Sequence, residues 1–279
     1  EGDEAGSCSR VGLVRALTGL RGKVHVVLPA GRMTPGRQDT SISGLFDQFL
    51  LQVPWDETAG PKGKSWHAKF VLARQVPIDP ALTGERWIFL LGSRNLTLDT
   101  SWDIGFSLEG GDGFPVRSGC CAQRIDGIAN IAVALSKFFP TLQRWSAFEK
   151  RLRAVCWWVP NGIRVSEIRL MLPEDSKRAL PMPPSGMRRL VAVAPFLDKG
   201  AVQDVLRWPC QPSGGSRQLL STRSELSRVL GGVTLEGRPE LLALAEPSLE
   251  PPALADGSDD DQLEPEQIGL HAKFLYAEH

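Results

Sequence analysis

The amino-acid sequence predicts an α/β fold in two halves, residues 1–155 and 156–279, on three observations. Segments with two-residue apolar alternation are interspersed with segments at helical spacing, the signature of strands mixed with helices. The same succession recurs in the second half of the chain. The tetrapeptide His-Ala-Lys-Phe occurs twice, at His67–Phe70 and His271–Phe274, 204 residues apart, followed by Val71-Leu72 in one copy and Leu275-Tyr276 in the other. That is an internal duplication too widely spaced for a solenoid repeat.

Taken in order, Val11–Leu20 reads as a short helix ended by Gly22, and Lys23–Leu28 as a β-branched strand closed by Pro29. Ile42–Val53 has helical spacing, with an end that also reads as extended. Three strands are expected next, at Trp66–Ala73, Arg86–Leu91 and Asp103–Leu108, then a glycine-rich loop at Gly110–Gly119. Ile125–Phe139 and Leu142–Val155 read as helices divided by Pro140. In the second half, strands are expected at Ile163–Leu172, Leu190–Pro195, Arg217–Leu220 and Ile268–Tyr276, and helices at Gly200–Trp208 and Ser224–Leu230. Gly237–Gln267, rich in Pro, Asp and Glu, reads as a mobile acidic insertion because it offers little apolar surface to bury.

Composition narrows the function classes. Apolar residues make up 42% and charged residues 23%, enough for a sizeable core and against global disorder. No apolar run reaches the roughly 18 residues of a membrane span, so no stable membrane association is expected. The five cysteines (Cys8, Cys120, Cys121, Cys156, Cys210) form no Cys-x-x-Cys pair and no metal-ligand spacing; reduced thiols in a cytoplasmic protein fit them better than a disulfide framework. The adjacent Cys120–Cys121 reads as structural, with a vicinal redox pair as the alternative. The formal net charge of zero conceals an asymmetry: Glu236–Gln267 carries ten acids and one base, so the rest of the chain is nine units positive. A basic body suits a phosphate-bearing substrate, and a scatter of solvated charges is the plainer reading. No P-loop, dinucleotide fingerprint, His-Glu-x-x-His or serine nucleophile elbow is present.

The chemistry concentrates at the repeated motif. On a strand, residues i and i+2 share a face, so His67 would project with Lys69, and His271 with Lys273. A lysine neutralises phosphate charge while an imidazole attacks phosphorus or protonates a leaving oxygen. Gly92-Ser93-Arg94-Asn95-Leu96-Thr97 follows the strand at Arg86–Leu91, and Ser93 and Asn95 can both bind phosphate oxygens. Asp103 lies eight residues past Asn95, at the border of its strand. His25 is a core or edge residue of its strand. Trp145, Trp157 and Trp158 are core residues in preference to base-stacking platforms.

His-x-Lys followed by Gly-Ser-x-Asn-Leu-Thr resembles the signature of the phospholipase D superfamily. The resemblance implies two similar α/β domains around one pseudo-twofold active site, each giving one His-x-Lys, with no metal or cofactor. It implies His67 as the nucleophile that forms a phosphohistidine, and His271 as the general acid. Lys69, Lys273, Ser93 and Asn95 would hold the phosphate, and Asp103 would orient an imidazole. Two features depart from the family pattern. The aspartate expected five residues after each lysine is Arg74 in one copy and Glu278 in the other, a departure shared with the tyrosyl-DNA phosphodiesterase branch. Only six residues follow Lys273, so the second domain is expected to be truncated, its own Gly-Ser-x-Asn half-site absent or supplied by a longer protein. Together these imply a metal-independent phosphodiesterase with a nucleic acid as substrate and partner. A phospholipid hydrolase or transphosphatidylase and a catalytically vestigial binding module are the alternatives.

Overall fold

The computed structural model describes residues 4–29, 43–53, 67–79, 84–93, 103–112, 116–138, 145–171, 184–211, 215–230, 239–244 and 270–278. Among them, helices and strands are mixed throughout, as the sequence predicts. The chain divides into two compact units, each made of two separate stretches: residues 1–68 with 119–177, and residues 69–118 with 178–279. This partition differs from the consecutive halves read from sequence, and the expected boundary at residues 155/156 falls inside the first unit.

In the first unit, helix α1 (Glu4–Gly19) precedes β1 (Val26–Pro29), which pairs in parallel with β2 (Leu50–Val53). The helix expected over Ile42–Val53 is instead two short 3-10 turns, Ser43–Leu45 and Asp47–Phe49, followed by β2. Pro54 disfavours helical dihedrals at Val53, and β1 offers an edge for Leu50–Val53 to pair with. Further on, β6 (Cys120–Gln123) pairs antiparallel with β7 (Cys156–Pro160) in the register Cys120↔Pro160 to Gln123↔Trp157. Between them, α2 (Asp126–Phe138) and α3 (Trp145–Ala154) pack together. The buried residues of α2 (Ile128, Ala129, Ile131, Ala132 and Leu135) recur at the three- and four-residue spacing of one helix face. Alternation along β7 buries Trp157 and Val159 completely or nearly so, as strand geometry requires.

The strand expected at Ile163–Leu172 does not form over the described residues 163–171. Their backbone is engaged from the side: the amide of Gln123 donates through Nε2 to the Val165 carbonyl and accepts through Oε1 from the Val165 N–H at 3.1 Å. A side chain thus takes over the bonds that a neighbouring strand would supply.

The second unit contains two sets of paired strands. β3 (Phe70–Gln75), β4 (Glu85–Gly92) and β5 (Gly105–Asp112) form an antiparallel meander. β5 therefore runs three residues into the glycine-rich segment expected to be a loop. The other set has the order β10-β9-β8-β11, with β8 (Arg189–Val193), β9 (Ser216–Ser221) and β10 (Glu240–Ala243) parallel and β11 (Phe274–Glu278) antiparallel to β8. Helices α4 (Lys199–Leu206) and α5 (Arg223–Leu230) cover one face, and their Val202, Val205, Leu206, Leu226 and Val229 join Leu190, Ala192 and Leu219 in the core. β10 lies within the stretch read as a mobile insertion. Leu241 and Leu242 supply enough strand character for pairing with β9, whereas residues 245–269 lie outside the described residues.

Capping sets where α4 and α5 begin. Asp198 accepts from the Ala201 N–H at 2.8 Å, satisfying a first-turn donor of α4. At α5, Thr222 accepts from the Glu225 N–H, as in a capping box, but the Glu225 carboxylate turns away to the Leu197 N–H at 2.9 Å and to Arg228 at 2.7 Å. The Arg228 guanidinium and the Leu197 amide hold the Glu225 carboxyl at about 2, well below its ordinary value of 4.5. A depressed folded-state pKa stabilises the fold above the unfolded value, and this contribution is lost as pH falls through the folded value. Glu225→Gln is therefore expected to lower the urea midpoint at pH 7, with the deficit narrowing between pH 4.5 and pH 2. A deficit that stays constant across that range would show that the charge is not what matters.

Candidate active site

The antiparallel meander brings three chain segments to one end of the second unit: the start of β3, the end of β4 and the start of β5. Beyond the regular strands, the ladders continue through single bonds. The Gly92 N–H donates to the Lys69 carbonyl at 3.1 Å, and the Ser93 N–H to the Ile104 carbonyl at 2.9 Å. Gly92 and Gly105 are direct partners in the register. A Cβ on residue 105 would lie 2.7 Å from the Leu91 carbonyl oxygen and 3.4 Å from the Gly92 Cα, so only glycine permits this approach without a backbone shift.

That approach organises Ser93 and Asp103. The Ser93 hydroxyl donates to the Asp103 carboxylate and accepts from the Ile104 N–H at 3.2 Å, while the same N–H also reaches Asp103 Oδ1 at 2.7 Å. The hydroxyl and the carboxylate are thus held together by a shared backbone donor. The sequence marks Ser93 and Asp103 as candidates but not Gly105, whose signal is its place directly behind Asp103-Ile104.

The second copy of the motif arrives from β11. Leu270 and Ala272 are buried and pack with Val193, which anchors the segment while His271 is half-buried and Lys273 is exposed. Lys273 Nζ donates to the His271 carbonyl at 3.1 Å and reaches the Ser93 carbonyl at 3.5 Å, a long contact spanning 180 residues. Burial lowers the pKa of both lysines. The charge of Lys273 lowers Lys69 further, while the Asp103 carboxylate opposes the shift at Lys273. Lys69, Ser93, Asp103 and Lys273 therefore share one electrostatic neighbourhood.

In both copies His-Ala-Lys lies just before the regular strand, which starts at Phe70 and at Phe274, rather than within it as the sequence suggests. Strand alternation therefore does not set which way these side chains point. His67 is exposed, two residues before Lys69 at the end of the first unit's opening stretch. Asn95 lies outside the described residues, as do Trp66 and Trp102. Arg74, at the position where the family pattern has an aspartate, is bonded to Glu85 across the β3–β4 pair and lies 6.0 Å from the Trp87 ring centroid. That residue is thus committed to the sheet. His25 stands just before β1, half-buried, with its pKa lowered by burial, in keeping with a structural residue.

Chemically, two ammonium groups with depressed pKa values, a hydroxyl and a carboxylate-ordered turn are groups of the kind that bind compact anions. A phosphate between the lysines would relieve the repulsion that lowers Lys69. Among the described residues, no group of three His, Cys, Asp or Glu side chains is placed to hold a metal ion, and no helix is long and apolar enough to cross a membrane. Comparison of the chain with protein-family models, with curated proteins and with solved structures gave no significant match, so what is inferred about this site rests on its own residues.

Proposed function

We propose that the chain is a phosphodiesterase of the phospholipase D type, acting on a nucleic acid without a metal ion. The observation that carries this reading is the convergence of Lys69 and Lys273, from two copies of one tetrapeptide, beside the Ser93–Asp103 pair.

In the proposed reaction the diester phosphate is held by the two ammonium groups. An imidazole nitrogen of His67 attacks phosphorus; the P–N bond forms as the P–O bond to the leaving group breaks. His271, protonated, gives its proton to the departing oxygen. Water then attacks the phosphohistidine, losing a proton to the now neutral His271, and the P–N bond breaks to release the phosphomonoester and restore both side chains. The lysines supply charge neutralisation at the equatorial oxygens, where negative charge is concentrated. Asp103 would act on Ser93 and Lys273 as well as in the imidazole-orienting role that the resemblance implies.

A second reading, turnover of a phospholipid, is favoured by one feature: Ile104 and Phe274, next to site residues, are 42% and 37% exposed. Such apolar lips suit acyl chains as well as bases. The deciding experiment offers labelled single-stranded DNA, duplex DNA, RNA and phosphatidylcholine vesicles in excess EDTA, with the His67→Ala protein beside the wild type. Cleavage of a nucleic acid that is lost in the variant is the expected result. Lipid turnover alone would replace the proposal with the second reading. Activity abolished by EDTA would overturn the metal-free chemistry, and absence of all turnover would leave a binding module.

A further inference from the structure

In the second unit, β11 runs antiparallel to β8, and its first residue, Phe274, pairs with Val193, the last residue of β8. The His271–Lys273 segment therefore stands at the end of the sheet toward which the parallel strands β8 and β9 run. Leu270 and Ala272 keep it there by packing with Val193. In open α/β sheets this end, outside the carboxyl ends of the parallel strands, is where ligands bind.

The connection from β8 to α4, residues 194–198, occupies the same end. It is pinned on both sides of one residue. The Ala194 N–H donates to the Leu220 carbonyl at 3.2 Å, and the Ala194 carbonyl accepts from the buried Ser221 hydroxyl at 2.6 Å. Pro195 is buried. Leu197 is buried too; its N–H donates to the Glu225 carboxylate at 2.9 Å, and its carbonyl accepts from Arg228. Between these anchors Phe196 is 77% exposed. A phenyl ring is thus held in water by a backbone that has already been ordered, so a flat ligand can stack on it at little further entropic cost.

Position and surroundings indicate the ligand. At about 3.3 Å per residue, Phe196 lies no more than about 10 Å past Val193, whose strand partner Phe274 directly follows Lys273. The ring is therefore within reach of a group next to a phosphate held at Lys273. Its neighbours Pro195 and Leu197 are buried, and exposed Asp198 and Lys199 follow. A bilayer anchor takes a broad apolar face, which this loop does not offer, whereas one ring suffices to stack on one base.

We infer that Phe196 is the substrate-stacking residue of the proposed active site. It holds an unpaired base beside the phosphate at Lys273, which makes single-stranded nucleic acid the preferred substrate. This rests on the phosphodiesterase reading above.

Two measurements in excess EDTA test it. In the first, a single-stranded oligonucleotide carrying 5-iodouracil is irradiated with the protein, and the crosslink is mapped by peptide analysis. In the second, turnover of a single strand is compared with turnover of the same strand built from abasic units. The expected crosslink is at Phe196, and KM for the base-bearing strand is about tenfold below that for the abasic strand. Phe196→Ala should lose both the crosslink and the preference, and Phe196→Trp should keep both, with unfolding midpoints unchanged because the position is exposed. A crosslink elsewhere, or a preference that survives in Phe196→Ala, overturns the inference. So does turnover of phosphatidylcholine vesicles that Phe196→Ala loses, which would give the ring to an acyl chain. Wild-type hydrolysis of bis(4-nitrophenyl) phosphate without crosslink or preference overturns the stacking role and leaves the phosphodiesterase standing. A crosslink at Phe196 with no diester hydrolysed supports the stacking role and overturns the phosphodiesterase.

Discussion

Lys273→Ala is expected to slow phosphodiester turnover by about 10²–10³-fold, the usual loss when one preorganised charge partner of a developing oxyanion is removed. Its ammonium is the part of the second motif that meets Ser93 and raises the charge density felt by Lys69. The histidines separate by leaving group. Loss of a general acid costs about 10²–10⁴-fold when the departing oxygen is a strongly basic alkoxide. The loss is small when that oxygen leaves readily, as from bis(4-nitrophenyl) phosphate. His271→Ala should therefore impair a dinucleotide far more than the aryl diester, whereas His67→Ala should impair both. Steady-state kinetics on the two substrates read this out. Equal losses in the two variants on both substrates would refute the division of roles, and wild-type turnover by Lys273→Ala would refute the site. The same variant carries an independent signal. Removing the Lys273 charge should raise the pKa of Lys69, because that charge is the second cause, after burial, of its lowering. The shift is measurable by the pH dependence of amine labelling.

Gly105→Val should both destabilise the protein and disable the site. The new Cβ would meet the backbone of Leu91 and Gly92, which has no rotamer through which to yield, so the β4 and β5 ladders must separate where Gly92 and Gly105 pair. Overpacking of this kind costs about 1–3 kcal/mol. Separation also breaks the bond between the Ser93 N–H and the Ile104 carbonyl, and with it the placement of Ser93 against Asp103. The expected result is a lower urea midpoint together with a fall in turnover. Ser107→Val, two residues along the same strand and exposed, is the control expected to change neither. A Gly105→Val protein as stable and active as the wild type would show that the close approach is unimportant.

Where residues carry their own local physics, the sequence was a good guide. α2 and α3 follow from helical spacing and the proline between them, and β4 and β9 from short apolar runs. The discrepancies arise where the competing partner is remote. Val165 is held by Gln123, 42 residues earlier, so a strand-like sequence at Ile163–Leu172 forms no ladder over its described residues, 163–171. Glu240–Ala243 sits in an acidic, proline-rich stretch that argues for disorder, but the edge of β9 gives its two leucines a place to pair. Cys156–Pro160, read as the start of a new half, alternates buried and half-buried residues against β6 and belongs to the first unit.

By itself the sequence determined which chemical groups are present and in what local order: two His-Ala-Lys-Phe copies, one Gly-Ser-x-Asn segment, and Asp103 eight residues beyond Asn95. Those are properties of neighbouring residues, readable without a fold. Only the tertiary structure decided that Lys69 and Lys273 share one electrostatic field, that Ser93 leans on Asp103, and that a glycine at 105 is what lets it. Those relations join residues as many as 204 positions apart. They are settled by strand register, helix packing and the closeness of backbones, which local spacing does not encode.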